Sequence, residues 1–237
     1  MNYTKVGDIA LLYIPEELDS QEYEIARAIY ERENSISVVL RKLGRYGEFR
    51  KEKVKILIGE RTDTVYREFG ITIHIDLREA YFSEREKTER QRLKNLVNDS
   101  ERILVLFAGV GIIPLVLTKD SQVEVTAVEK NEKAFILMKE NIEQNALKGI
   151  IHPILKDVYA FKGGEFDRVI VPQPYRCNSF EWVKSYVKKK GFLHYYTWIS
   201  TKQVLKPFPG FEITRRKRLF SYAPGVWKVC FDMQSVK

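Results

Sequence analysis

Residues 103–129 read ILVLFAGVGIIPLVLTKDSQVEVTAVE. Strand-like Ile103–Phe107 leads into AGVGIIP, and a second β-branched run, Val123–Glu129, follows. The rhythm continues with a helix over Asn131–Asn145, strands over Ile150–Asp157 and Phe166–Val171, a helix over Asn178–Lys189 and a strand over Phe192–Trp198. Strands alternating with helices predict an α/β fold with a Rossmann-like, doubly wound, mostly parallel sheet. The tail adds strand-like FEITRRKRLF and VWKVCFDM.

Upstream lies a smaller α+β unit. Lys5–Ile14 reads as a strand ending at Pro15, and Ser20–Glu33 as a helix with Ile25, Ala28 and Ile29 on one face. Ile36–Leu40, Lys53–Ile58, Thr64–Phe69 and Ile71–Asp76 read as strands, the last two turning at Gly70. Ser83 and Glu86 form a capping box for a connecting helix that runs to about Val97. The expected domains are residues 1–92, a substrate or RNA-binding unit, and 93–237, a cofactor-binding unit.

The 237 residues are 44% hydrophobic, enough for a real core. A net charge of +8 and a pI near 9.3 favour a polyanionic partner, most simply nucleic acid. The segment Arg41–Lys55 holds seven basic residues, two acidic ones and two aromatics, a mixture that suits RNA. A solvated hairpin face reads the same way. Lys184–Lys190 and Arg215–Arg218 are the other expected phosphate contacts. Cys177 and Cys230 are not at metal or redox spacing, so no metal site is expected and a reduced, cytoplasmic setting fits. No apolar run approaches the ~20 residues of a membrane helix.

Ligands of open α/β sheets bind outside the carboxyl ends of the strands. Phe107, Ala108, Gly109 and Gly111 follow the first strand, and glycine lets backbone approach a ligand. Glu129, followed by Lys130, ends the second strand about 20 residues on, where a carboxylate accepts from both ribose hydroxyls. Asp157, followed by Val158, ends the third, near an adenine. The third glycine of GxGxxG and the P-loop lysine are both absent, which favours a nucleoside without phosphates: S-adenosylmethionine. A plain packing turn and a nicotinamide fold are the alternatives.

The fourth strand ends in Pro172-Gln173-Pro174-Tyr175. Prolines hold the chain extended and leave carbonyls without ladder partners, a rigid wall for the edge of a flat heterocycle, and Tyr175 stacks on its face. A turn that merely ends a strand is the simpler reading.

With these residues in hand, the sequence resembles the class I archaeal and eukaryotic tRNA (guanine-37-N1)-methyltransferases and their wyosine-pathway relatives. YFSEREKTER at Tyr81–Arg90, FAGVG, the strand-end Asp157, GFLHYYTW and SYAP carry the likeness. The resemblance implies an enzyme that carries a methyl group from S-adenosylmethionine to the purine 3′ of the tRNA anticodon, at guanine N1 and also or instead at a carbon of the tricyclic wyosine precursor. A cytoplasmic monomer is expected. It places Arg85 by the guanine, sets the fourth-strand loop, with Pro172, Pro174 and Tyr175, around the base, and makes Tyr81, Phe82 and Ser83 shape the pocket. Asp157 is the candidate base. Arg85 paired with Glu89, four residues on, is the ordinary alternative.

Three departures stand out. The family's fourth strand usually ends Asn-Leu-Pro, and here Pro172 replaces the Asn, with Gln173 as a possible substitute. Val105 and Leu106 stand where an acidic residue usually precedes FAGVG. The chain starts at the domain after an N-terminal one that many members carry. SYAPGVWKV resembles the branch that transfers the aminocarboxypropyl group instead. A non-catalytic RNA-binding module and an N6-adenine methyltransferase are further alternatives.

Overall fold

The computed structural model describes residues 3–49, 51–175, 177–200 and 207–236. The chain forms two compact units, 1–84 and 85–237. The expected boundary at 92/93 therefore shifts upstream, because the connecting helix packs within the second unit.

In the first unit, β1 (Tyr3–Val6), β2 (Ile9–Leu12), β3 (Val38–Tyr46) and β4 (Lys51–Ile58) form one sheet in that order. The single strand expected over Lys5–Ile14 is instead a hairpin. Gly7 turns it at φ 57°, and a side chain there would collide with Thr64. Helix α1 (Glu22–Arg32) follows a 3-10 turn and buries Ala26 and Ile29 over Ala10, Leu12, Val39 and Leu57. A separate hairpin, β5 (Asp63–Glu68) and β6 (Ile71–Asp76), turns at Phe69-Gly70 with both φ positive, as a tight hairpin requires.

In the second unit, 3-10 turn Glu84–Glu86 leads into α2 (Lys87–Lys94). The helix starts three residues later than the Ser83 capping box predicts, and its N-cap is Glu86. Then come β7 (Arg102–Leu106), α3 (Ile112–Thr118), β8 (Glu124–Glu129), α4 (Glu132–Glu143), β9 (Ile150–Leu155), β10 (Phe166–Val171), α5 (Phe180–Val183), β11 (Val187–Ser200), β12 (Phe211–Ala223) and β13 (Val226–Ser235). The sheet order is β12-β13-β11-β10-β7-β8-β9. Strands β9 to β11 run parallel, and β12 and β13 are antiparallel. The doubly wound α/β expectation stands.

The helix expected over Asn178–Lys189 does not. One α turn and a 3-10 turn end at Tyr186, and Val187 already pairs with Phe166. Lys188, Lys189 and Lys190 lie on a strand that bulges, with Lys190 at φ 59°. Buried Tyr186 and Val187 pull this segment into the core.

Strand alternation gives the sheet two unlike faces. Leu104, Leu106, Val169, Val171, Leu193, Tyr195, Val229 and Phe231 pack with Phe180 and Val183 of α5. The opposite face carries Arg168, His194, Tyr196, Lys228, Cys230 and Asp232, all buried. Helix α2 docks there through charge. Glu86 meets Lys228, Glu89 meets Tyr196 and Lys217, and Arg92 meets Asp232.

The imidazole of His194 sits inside this network. Arg168 Nη1 lies 2.7 Å from Nε2 and can only donate, so Nε2 accepts and Nδ1–H donates to Asp232 Oδ1 at 2.6 Å. Burial is the strongest influence on its pKa and holds it below 6.5, although Asp232 pulls the other way. On acidification the unfolded chain binds the proton first, so the stability tied to this neutral ring is complete above about 6.5 and drains below it. Tm is expected to fall as the pH drops below about 6.5. His194→Gln should flatten that part of the profile in a thermal melt series, and an unchanged slope would assign the titration to other groups.

Candidate active site

The carboxyl ends of β7, β8, β9 and β10 converge where the strand order reverses, with β7 flanked by β8 on one side and β10 on the other. The loop after β7 is pinned on every side. Ala108 N donates to Val128 O at 3.0 Å, and Asn141 Nδ2 of α4 donates to Val110 O at 3.0 Å. Phe107 takes φ 53°, an uncommon conformation for a non-glycine residue. Gly109 (φ 58°) and Gly111 (φ 85°) serve different ends. A Cβ on Gly111 would strike Met138 at 2.8 Å, so that glycine lets the loop lie on α4. A Cβ on Gly109 would meet nothing within 4 Å, so bare backbone faces open space. That is the cradle a nucleoside cofactor requires.

Glu129 is 9% exposed at the end of β8. Its Oε2 accepts from Gly109 N at 2.7 Å, and its Oε1 from Lys130 N at 2.9 Å and Asn131 N at 2.7 Å. Burial pushes its pKa up against the pull of these amides. The carboxylate thus ties the glycine loop to the second strand and keeps lone pairs for a ligand. Lys130 reaches Asp157 at 2.9 Å, and Asp157 Oδ1 caps the 3-10 turn Val158–Ala160 by accepting from Tyr159 N. The Lys130 ammonium holds the Asp157 carboxyl below the usual range, which makes it a weak proton acceptor. Val158 is buried beside it.

At the end of β10, Pro172 and Pro174 are half-buried, and Tyr175 meets the Trp198 ring edge-on at 5.8 Å. Gln173 turns inward. It is 1% exposed, its Nε2 donates to Tyr195 Oη at 2.9 Å, and its Oε1 accepts from Ser179 Oγ at 2.8 Å. It therefore does not stand in for the missing Asn. Arg85 is exposed on its 3-10 turn, while Glu89 faces the core and is engaged by Arg92, Tyr196 and Lys217. Tyr81, Phe82 and Ser83 close the first unit, where the Arg45 guanidinium lies over Tyr81 at 4.9 Å and Phe82 packs on Tyr66.

The description of the TRM5/TYW2 methyltransferase domain fits residues 64–220. The chain belongs to this family. Residues 1–62 match the TYW2 N-terminal domain. The tRNA(Phe) (4-demethylwyosine(37)-C(7)) aminocarboxypropyltransferase of Methanocaldococcus jannaschii is 30% identical, covering 98% of this chain and 97% of its own length. The tRNA (guanine(37)-N(1))-methyltransferase Trm5b of the same organism is 32% identical over 99% of this chain and 71% of its own. The solved complex of aTrm5 and tRNALeu superposes with a TM-score of 0.88 at 29% identity, over 99% of this chain and 72% of that one. M. jannaschii TYW2 in complex with AdoMet gives 0.72 at 25% identity over 98% of both.

TRM5/TYW2 membership was visible in the motifs, but several supports of the site were not. Asn131, Asn141 and Trp198 hold the loops from behind. Asn141 had a faint signal, since Ala134, Met138 and Asn141 share one buried stripe of α4 in which a polar residue needs a partner.

Proposed function

We propose that this TRM5/TYW2 family chain transfers a group from S-adenosylmethionine to the purine at position 37 of tRNA, and that the group is methyl. The open backbone at Gly109, tied to Glu129 and facing the carboxyl ends of the strands, is the observation that carries the reading. The cofactor supplies an electrophilic carbon on a sulfonium. Glu129 takes the ribose hydroxyls. Phe107, Ala108, Gly109 and Gly111 supply backbone. The Lys130–Asp157 pair and Val158 flank the adenine. Pro172, Pro174 and Tyr175 hold the base, and the Arg85 guanidinium balances charge that builds on O6 as N1 gives its proton to water. The short leash of Lys130 on Asp157 fits a cofactor role better than that of the base. The roles of Tyr81, Phe82 and Ser83 rest on their motif.

A second reading, aminocarboxypropyl transfer to a carbon of the tricyclic wyosine precursor, has specific support. The first unit matches the TYW2 N-terminal domain, and the inward Gln173 leaves the loop without that amide acceptor near N1. Mass spectrometry of tRNA nucleosides after incubation with protein and cofactor separates the two. A methyl increment on unmodified tRNA supports the first, and an aminocarboxypropyl increment confined to tRNA with the tricyclic base supports the second. No increment on either tRNA would overturn both.

The RNA surface also differs from the sequence expectation. Arg41 is 8% exposed and bound to Glu22 and Asp19. Lys42 and Arg45 share Glu52, Lys51 meets Glu79, and Lys55 meets Glu22, while Arg50 lies outside the described residues. The hairpin's charge is thus largely neutralised at home. The other two expected basic stretches, Lys184–Lys190 and Arg215–Arg218, keep exposed cations, Lys189 and Lys190 at the bulge and Arg215, Arg216 and Arg218 on β12, and these are the phosphate contacts we favour. Log affinity for tRNA should fall steeply with log salt, and replacing the three arginines with alanine should reduce the slope by about 3 in filter-binding titrations. An unchanged slope would remove β12 from the interface. No described helix is long and apolar enough to cross a membrane. We take the chain to work as a cytoplasmic monomer, which gel filtration tests.

A further inference from the structure

Lys228 lies near the start of β13 and is 3% exposed. Its neighbours across the ladder are Trp198 on β11 and Phe220 on β12. The ammonium nitrogen is 5.5 Å from the Tyr196 ring, 5.9 Å from Trp198 and 5.7 Å from Phe220. Its ion-pair partner is Glu86 Oε1, at 2.6 Å. Burying an ammonium is costly even with a partner and three π faces, and an apolar side chain of the same length would pack there more cheaply. Simple stability therefore does not account for a lysine at this position.

Its neighbours suggest what does. Glu86 is the last residue of the 3-10 turn that carries Arg85, and it is also the N-cap of α2. Trp198, the second wall of the cage, is the ring that Tyr175 meets edge-on at 88°. One buried charge thus reaches both the turn that presents Arg85 and the ring behind the loop that holds the base. The remainder of α2 has its own anchors. Glu89 is held by Arg92, Tyr196 and Lys217, and Arg92 by Asp232 at 2.7 Å. Removing Lys228 should loosen the first turn without undocking the helix.

We propose that Lys228 is a positioning residue for group transfer, fixing Arg85 through Glu86 and Tyr175 through Trp198. The proposal rests on the roles given to Arg85 and Tyr175 above. Lys228 is buried, so it acts through these two groups and does not touch the base.

Lys228→Met fills the cage without the charge, and Glu86→Gln removes the partner without changing its shape. Each variant should lower kcat for tRNA by about 100-fold, the scale of a small misplacement of a reacting group. The dissociation constant of S-adenosylmethionine should stay within about twofold, because the cofactor crevice is built from other strands. The double variant should be no slower than Lys228→Met alone, since that change already breaks the contact that Glu86→Gln removes. Lys228→Arg, which keeps the charge, should recover part of the rate. Hydrogen exchange gives a readout independent of turnover: amides of residues 85–87 should exchange faster in Lys228→Met, while those of 89–93 keep their protection. Wild-type kcat in Lys228→Met, parallel loss of rate and cofactor binding, or unchanged exchange at 85–87 would each overturn the proposal. A wild-type protein that modifies no tRNA, yet shows the exchange difference on substitution, would leave the mechanical link standing and bring down the assignment of function.

Discussion

Arg85→Ala is expected to lower kcat for tRNA by about 100- to 1,000-fold while the affinity for S-adenosylmethionine stays within about twofold. The magnitude is that of deleting one preorganised donor aimed at developing negative charge. Guanine N1 is a poor nucleophile while it holds its proton, and loss of that proton places charge on O6. The side chain is exposed on a short turn, so truncation leaves no cavity in the core. An ion pair with Glu89 is the ordinary alternative for such an arginine, and it predicts no selective loss of kcat. Single-turnover kinetics with saturating tRNA, alongside calorimetry with the cofactor, would decide. Equal losses in both would falsify the catalytic assignment.

Glu129→Ala should produce the largest change in cofactor binding, with the dissociation constant rising about 100-fold or more. Two effects combine. The ribose loses its acceptor, and the amides of Gly109, Lys130 and Asn131 lose theirs. A part-buried donor left unsatisfied costs about 1–3 kcal/mol, and the three are not additive because the loop relaxes. Tm should also drop, since the carboxylate links the β7 loop to the end of β8. Glu129→Gln, which keeps one acceptor oxygen, should fall between the two. Cofactor affinity that survives Glu129→Ala in an isothermal titration would displace the ribose from this position.

The strand ends on which the proposed site is built were largely legible before any coordinates. Local pattern marks strand ends well, because β-branched runs stop abruptly at glycine or proline, and Phe166–Val171 emerged with the expected bounds. Gly109, Glu129 and Asp157 follow from the rule that open sheets bind ligands at those ends. The failures share a different cause. Arg41 reads as an exposed cation until Glu22 and Asp19, distant in sequence, are found beside it. Gln173 looks like a spare acceptor until Tyr195 and Ser179 claim it. Asn178–Lys189 reads as one helix until the burial of Tyr186 and Val187 draws the chain into the sheet. Each miss is a partner supplied by tertiary structure.

Helix α2 seats itself on the sheet with Glu86, Glu89 and Arg92 opposite Lys228, Lys217 and Asp232. A greasy seam tolerates slippage by a turn, since one leucine replaces another at little cost. This sequence of signs does not. Advance the helix one notch and Glu89 confronts Asp232; retract it and Arg92 confronts Lys217. The pattern works as a keyed lock along the helix axis, so the arginine at its head has a single address.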